Sequence, residues 1–291
     1  MERRPFGATG LSVTPVGLGG GQIGKAWISS STAESVLSAA LDAGVGLIDT
    51  ARGYGSSEER IGRALRGRRD EVVLVTKVGY DVEGVEDWTF DAVAGGVDRA
   101  LRMLGTEVLD VALLHSCSVD VLRHGDVIEA LLAARDSGKV RVAGYSGENE
   151  ALDWAVRSGA FGAVETSVNV ADQWSLENVL PAAASAGMGV IAKRPLANAP
   201  WRFAERPAGS YSETYWERLR AMGRAPADGD WAATAARFAA YAPGVSAAIV
   251  GTASPEHLRA AVEAVERGPL AEDEVAAWRA AWRAFSWPGD V

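Results

Sequence analysis

Short apolar runs recur along this chain, and each is followed by a stretch with helical periodicity. The runs fall at 16–19, 45–50, 72–78, 109–115, 140–145, 162–168, 189–193 and 246–250. Predicted helices lie at 32–43, 58–66, 90–104, 127–137, 151–158, 175–186, 231–241 and 255–265, and a last one follows at 272–285. Runs that are apolar throughout, rather than alternating, predict parallel strands covered by helices on both faces. Eight such units close naturally into a (β/α)₈ TIM barrel. An open doubly wound sheet is the competing architecture. Turn glycines between short segments at 6–16 predict an N-terminal β-hairpin ahead of the first unit. Ser31 reads as the N-cap of the first helix and Gly44 as its stop.

The 291 residues, 48% of them hydrophobic, suffice for one large core. No composition break divides the chain, so 1–291 reads as a single barrel domain. A net charge of −9 argues against nucleic acid and against an anionic membrane surface as partners. Cys117 is the one cysteine, which excludes an intramolecular disulfide and suits a reducing compartment. No apolar run approaches the roughly 18 residues of a membrane span. The expectation is a cytoplasmic protein. The segment 196–230 is too long for an ordinary βα connection. It is expected to cross the barrel mouth, with a short helix near 212–222. The tail at 286–291 is short, so substrate specificity is assigned to 196–230 rather than to the tail.

Catalytic groups of such a barrel sit at the C-terminal ends of its strands. The second run ends in Asp49, with Tyr54 in a glycine-flanked turn just beyond. The third carries Lys77 near its end, and the fourth ends in His115. Each has a bland alternative: a strand-end lysine often snorkels, an aspartate often caps a turn, and a lone histidine or tyrosine often packs. Four mutually suited groups at three consecutive strand ends outweigh these. A free phenol has a pKa of about 10, so a proton-donating tyrosine needs a nearby cation. Lys77 would lower the pKa of Tyr54, Asp49 would hold Lys77, and His115 would orient a carbonyl oxygen. A phenol that protonates a developing alkoxide is the acid half of carbonyl reduction. The hydride must come from a cofactor, since no side chain supplies one.

The run Asp49-Thr50-Ala51-Arg52-Gly53-Tyr54-Gly55 with Glu58, followed by Val75-Thr76-Lys77 and Leu113-Leu114-His115, resembles the aldo-keto reductase family. The opening Gly7 to Val13, Gly17-Leu18-Gly19, Gly144-Tyr145-Ser146 and Ile249 to Ser254 are similar to further segments of that family, in the same order. The resemblance implies a barrel that binds a nicotinamide cofactor, usually NADPH with NADH possible, and reduces an aldehyde or ketone or oxidises the matching alcohol or sugar. It implies Tyr54 as general acid, with Lys77, Asp49 and His115 in support. It implies that Ser146 and Glu165 meet the nicotinamide carboxamide, and that Arg194 and Leu196 lie along the pyrophosphate. Gly251, Thr252 and Ser254 would take the adenosine end, with His257 and Arg259 the nearest basic groups for a 2′-phosphate. Three departures stand out. Gly147 replaces a common asparagine, Glu165 a common glutamine, and Lys193-Arg194 a common stacking tyrosine.

Gly19-Gly20-Gly21-Gln22-Ile23-Gly24 fits the dinucleotide fingerprint G-x-G-x-x-G, but no helix opens on its last glycine. Gly20 and Gly21 are read instead as points of close cofactor approach. The three histidines have no metal-ligand spacing. Cys117 reads as a small buried residue. Trp27, Trp88, Trp201 and Tyr215 are expected to wall an apolar or sugar-binding mouth, and Arg52 to face a polar substrate. The alternative function is a catalytically silent, nucleotide-binding regulatory protein on the same fold.

Overall fold

In the computed structural model, which describes residues 1–289, the apolar runs become strands covered on both faces. A hairpin of β1 (Arg4–Pro5) and β2 (Ser12–Val13) leads into β3 (Val16–Gly19), α1 (Ser30–Asp42), β4 (Leu47–Asp49) and α2 (Ser57–Ala64). Then come β5 (Val73–Val78), α3 (Phe90–Leu104), β6 (Leu109–His115), α4 (Val119–His124) and α5 (Asp126–Asp136). The chain continues through β7 (Val140–Ser146), α6 (Asn149–Arg157), β8 (Ala163–Ser167), α7 (Trp174–Asn178), α8 (Leu180–Ser185) and β9 (Gly189–Lys193). It ends with α9 (Glu213–Met222), α10 (Trp231–Ala240), β10 (Ala247–Gly251), α11 (Pro255–Glu266) and α12 (Glu272–Arg283). Strands β3 to β10 pair in parallel and in sequence order, and β10 bonds back to β3, so the sheet is a closed barrel. Closure leaves the open-sheet alternative without support.

Side chains alternate across a strand, so one parity of each faces the barrel axis. That parity holds Leu47, Val73, Val75, Val111, Leu113, Val142, Ala163, Ile191, Ala247 and Ile249 in one apolar cluster. The other parity, including Ile48, Leu74, Leu114, Val164 and Val250, packs on the surrounding helices. Phe6 joins the inner cluster from the hairpin. A Cβ added to Gly189, the first residue of β9, would lie 2.4 Å from the Phe6 ring. The hairpin therefore stoppers the end where the strands begin and leaves the opposite end open for chemistry.

The structure corrects several expected boundaries. α1 starts at Ser30, because the Ser29 side chain, not that of Ser31, accepts from the backbone N–H of Thr32. The expected helix at 175–186 is two helices. Val179 leaves helical geometry at φ −125° and ψ −44°, and Pro181 sits in the first turn of the second. A short extra helix, α4, precedes α5. Segment 196–230 does contain a helix, α9. Its Arg218 is buried, donating to the carbonyls of Ala171 (3.3 Å) and Pro288 (3.0 Å). The guanidinium also lies over the rings of Trp282 and Trp287. This clamp ties α9 to the loop beyond β8 and to the tail, of which residues 290 and 291 lie outside the described residues. No helix among the described residues is long and apolar enough to cross a membrane.

Phe6→Ala should cost about 3–5 kcal/mol, the usual price of emptying a fully buried aromatic site. The loss should appear as a lower denaturant midpoint with an unchanged slope.

Candidate active site at the barrel mouth

The inward parity that builds the apolar core turns polar at the C-terminal ends of the strands. Asp49 follows Leu47 on β4, Lys77 follows Val75 on β5, and His115 follows Leu113 on β6. Ser146, Glu165, Ser167 and Lys193 hold the same parity on β7, β8 and β9. Register places His115 opposite Ser146, Ser146 opposite Glu165, and Ser167 opposite Lys193. The period of two thus brings together residues that lie far apart in the chain.

Lys77 is fully buried and surrounded by acceptors. Its Nζ donates to Asp49 Oδ1 (2.5 Å), Asp49 Oδ2 (2.7 Å) and the Thr50 carbonyl (3.1 Å). Those are the three donors an ammonium has. Glu165 Oε2 lies 3.3 Å from the same nitrogen, within ion-pair reach, but makes no hydrogen bond. Burial by itself would lower the pKa of Lys77. The carboxylates of Asp49 and Glu165 outweigh it, so the pKa is raised and the ammonium stays charged. The pKa of Asp49 is raised by burial and by repulsion from Glu165, against the pull of Lys77.

Tyr54 sits on the turn after β4, its ring centroid 5.1 Å from Lys77 Nζ and 5.8 Å from the His115 ring. The turn is held by close backbone packing. A Cβ on Gly24 would fall 1.7 Å from the Tyr54 carbonyl, and one on Gly20 would fall 2.5 Å from Ser57 Oγ. Two glycines of the apparent dinucleotide fingerprint thus serve loop-to-loop contact, while Gly21 borders the Tyr54 ring. Glu58 accepts from Thr76 Oγ1 (2.8 Å) and pairs with Arg99, fixing α2 against β5 and α3. Burial, followed by the opposing pull of Lys77 and the repulsion of Asp49 and Glu165, leaves the Tyr54 phenol pushed up to about 12. The expected lowering by Lys77 operates, but burial and two carboxylates exceed one ammonium.

The pKa of His115 is lowered to about 3, by burial first and then by the nearby Lys77 and Lys193, so its imidazole is neutral. The Tyr80 hydroxyl lies 2.9 Å from His115 Nδ1. With Nδ1 accepting from Tyr80, Nε2 carries the proton and can donate into the mouth. The Tyr80 ring also packs at 5.5 Å from Trp88. The sequence reading missed Tyr80. Its only signal was an aromatic residue three positions beyond Lys77.

The other expected site residues surround this centre. Ser146 Oγ and Glu165 Oε2, neighbours across β7 and β8, are buried without hydrogen-bond partners. Such orphaned atoms fit the polar edge of a ligand amide. Arg194 and Leu196 begin a loop in which Arg194, Ala197, Asn198 and Ala199 all have positive φ. This loop is stapled by Asn198 Nδ2 to the Tyr211 carbonyl (2.9 Å) and by Ser212 Oγ to the Asn198 carbonyl (2.8 Å). Gly251 ends β10 opposite Gly19. Thr252 Oγ1 then accepts from Ser254 N, and Ser254 Oγ accepts from His257 N at the start of α11. Of the expected aromatic wall, Trp27 is 77% exposed. Trp201 instead stacks on Trp231, and Tyr215 is a buried residue of α9 itself. Arg52 is paired with Asp81 (3.3 Å). The Cys117 thiol is pushed up to about 12 by burial and is therefore neutral. Among the described residues no His, Cys, Asp or Glu cluster could hold a metal ion.

Comparison with known proteins bears on this geometry. The sequence profile of the aldo/keto reductase family matches residues 15–283. The chain is similar to a Bacillus subtilis protein named as the uncharacterized oxidoreductase YqkF, at 27% identity over 305 residues and 95% of each chain. Among solved structures, a Pseudomonas aeruginosa protein assigned to the aldo-keto reductases is 31% identical. It superposes with a TM-score of 0.74, covering 91% of this chain and 94% of its own. The holo form of a Bacillus halodurans aldo-keto reductase shares the fold, with a TM-score of 0.87 and 24% identity over 99% and 98% of the two chains.

The ring resonances of His115 should stay constant from about pH 8 to about pH 5, the window in which an ordinary imidazole titrates. Nitrogen-15 NMR would show this, with the proton on Nε2 throughout. Tyr80→Phe should abolish that fixed tautomer.

Proposed function

This chain belongs to the aldo/keto reductase family, and we propose that it is a single-domain, nicotinamide-dependent reductase of small aldehydes or ketones in which Tyr54 supplies the proton. One observation carries the reading. A protonated phenol (Tyr54), a neutral imidazole (His115) and a buried charged ammonium (Lys77) converge at the open end of the barrel. A carbonyl oxygen placed between Tyr54 Oη and His115 Nε2 would meet two donors. Tyr54 would release its proton to that oxygen as negative charge develops, and His115 would hold the oxygen in line. Lys77 would stabilise the phenolate left behind, which water then reprotonates.

A reduced nicotinamide, when bound, supplies the hydride. The residues present suit one. Ser146 Oγ and Glu165 Oε2 stand without hydrogen bonds where a carboxamide needs a hydroxyl and an acceptor, Glu165 Oε2 being ion-paired with Lys77. The 194–199 loop and the α11 N-terminus lie at the ends of β9 and β10, where phosphates would be received by backbone N–H groups. Gly20 and Gly21 line the β3 side. The resemblance favours NADPH. The first turn of α11, however, carries Glu256, whose Oε2 accepts from Ser254 Oγ at 2.8 Å. That carboxylate would oppose a 2′-phosphate, whereas a ribose hydroxyl could donate to it. Trp27, exposed on the loop after β3, offers a stacking surface for a sugar or apolar carbonyl.

Tyr54→Phe should lower turnover of a carbonyl panel by about 10³-fold while changing cofactor affinity less than a few-fold. Both are read from nicotinamide absorbance and fluorescence. Surviving activity would show that the proton comes from elsewhere, and cofactor binding with no turnover on any carbonyl would favour a regulatory protein. Glu256→Gln should tighten NADPH about 3–10-fold relative to NADH, since one like charge is removed near the helix N-terminus. An unchanged ratio would place the 2′-position away from α11.

A further inference from the structure

Lys77 has more negative charge around it than its hydrogen bonds require. Asp49 and the Thr50 carbonyl use all three of its donors. Glu165, 1% exposed, still brings a second carboxylate oxygen to 3.3 Å, with no hydrogen bond from any group. Toward Lys77 it therefore contributes charge rather than a bond, and it also crowds the Asp49 carboxyl, whose pKa it helps to raise. Glu165 is held there by strand geometry: it lies on the inward parity of β8, with its backbone paired to Ser146 and Ile191.

We propose that Glu165 is a positioning residue, a second counter-ion that weakens the pull of Lys77 on the Tyr54 hydroxyl and keeps that hydroxyl in the protonated form consumed by carbonyl reduction. This rests on the reading of Tyr54 as proton donor and extends it. With Asp49 alone, the ammonium would be balanced and its field at the phenol would be that of a simple ion pair. With Glu165 added, the second carboxylate offsets part of the stabilisation that the ammonium gives a phenolate. The reverse reaction, alcohol oxidation, needs the phenolate as base, so at a given pH the cluster disfavours it. The pKa of Tyr54, raised by burial and then by Asp49 and Glu165 against Lys77, agrees in direction.

Other charged and titratable groups face the mouth from each wall. Arg52 follows β4 and is paired to Asp81. Tyr80 follows β5 and is bonded to the neutral His115 of β6. Glu148 follows β7 and pairs with Lys193 of β9 at 3.2 Å, and Arg194 Nη1 donates to Ser167 Oγ at 3.2 Å. Each of these has its own partner, whereas Glu165 has only Lys77 as a cation within ion-pair reach among the described residues.

The test is a Tyr54 titration in the protein without cofactor. Ultraviolet phenolate absorbance is recorded after pH jumps and differenced against Tyr54→Phe. In Glu165→Gln the midpoint should fall by about one pH unit or more, the size expected of removing a buried neighbouring charge. Glu165→Asp, which keeps the charge, should stay nearer the native curve. If Glu165→Gln does not fold, Glu165→Met, neutral and of similar length, is read against the same curves. With cofactor, the alkaline limb of carbonyl reduction and the acidic limb of alcohol oxidation should both move down by the same interval. Coincident titration curves for the native chain and the neutral variant overturn the proposal and leave Glu165 as a cofactor contact alone. The titration needs no turnover, so the two readings fail separately. A shifted midpoint in a chain that reduces nothing keeps Glu165 as the counter-ion that sets the Tyr54 titration, but removes the reductase and with it the catalytic purpose proposed for that setting. An active enzyme with an unmoved midpoint and limb does the reverse.

Discussion

A fully buried ammonium is stable only where enough negative charge surrounds it, because desolvation alone would strip its proton. Lys77 meets that condition through Asp49 and Glu165, carried by two strands that are not neighbours in the barrel. Asp49 sits beside Lys77 on the adjacent strand, whereas Glu165 reaches it across the interior from β8. The ion cluster therefore spans the barrel near its open end. It also limits what the mouth can do. The groups nearest Lys77 are held in charge states set by their surroundings: Lys77 charged, Tyr54 protonated and His115 neutral.

The same constraint explains why the chemistry lies where it does. Strand parity makes the inner core apolar from Leu47, Val73 and Val111 upward, and then presents Asp49, Lys77 and His115 one pleat later. Phe6 fills the opposite end, so the apolar interior is sealed below and polar above. Glycines let the loops close tightly around this layer. Gly24 accommodates the Tyr54 carbonyl at a distance no side chain would permit, which holds the phenol over the ammonium rather than out in solvent.

Much of this was legible in the chain itself. Continuous apolar runs gave the eight strands, and the polar residues at or next to the ends of three of them gave Asp49, Lys77 and His115, because both signals depend only on local period and burial. Helix boundaries were less legible at Ser29, where a run of hydroxyl residues offers several caps, and at Val179, where the break depends on backbone torsion and a following proline. Tyr80 was invisible as a partner of His115, since nothing in the spacing says that the loop after β5 folds back over β6. Glu165 was visible as an unusual acid on a strand, but its nearness to Lys77 was not.

The sequence by itself determined the barrel, its register of inward residues and the chemical types at its mouth, because period, apolarity and side-chain chemistry are local properties. The tertiary structure decided the electrostatics. Whether Lys77 lowers the Tyr54 phenol or is outweighed depends on how many carboxylates reach it, how much water is excluded and which hydroxyl holds the histidine. Those are sums over groups from different strands, and only closure of the barrel brings them within a few ångströms of one another.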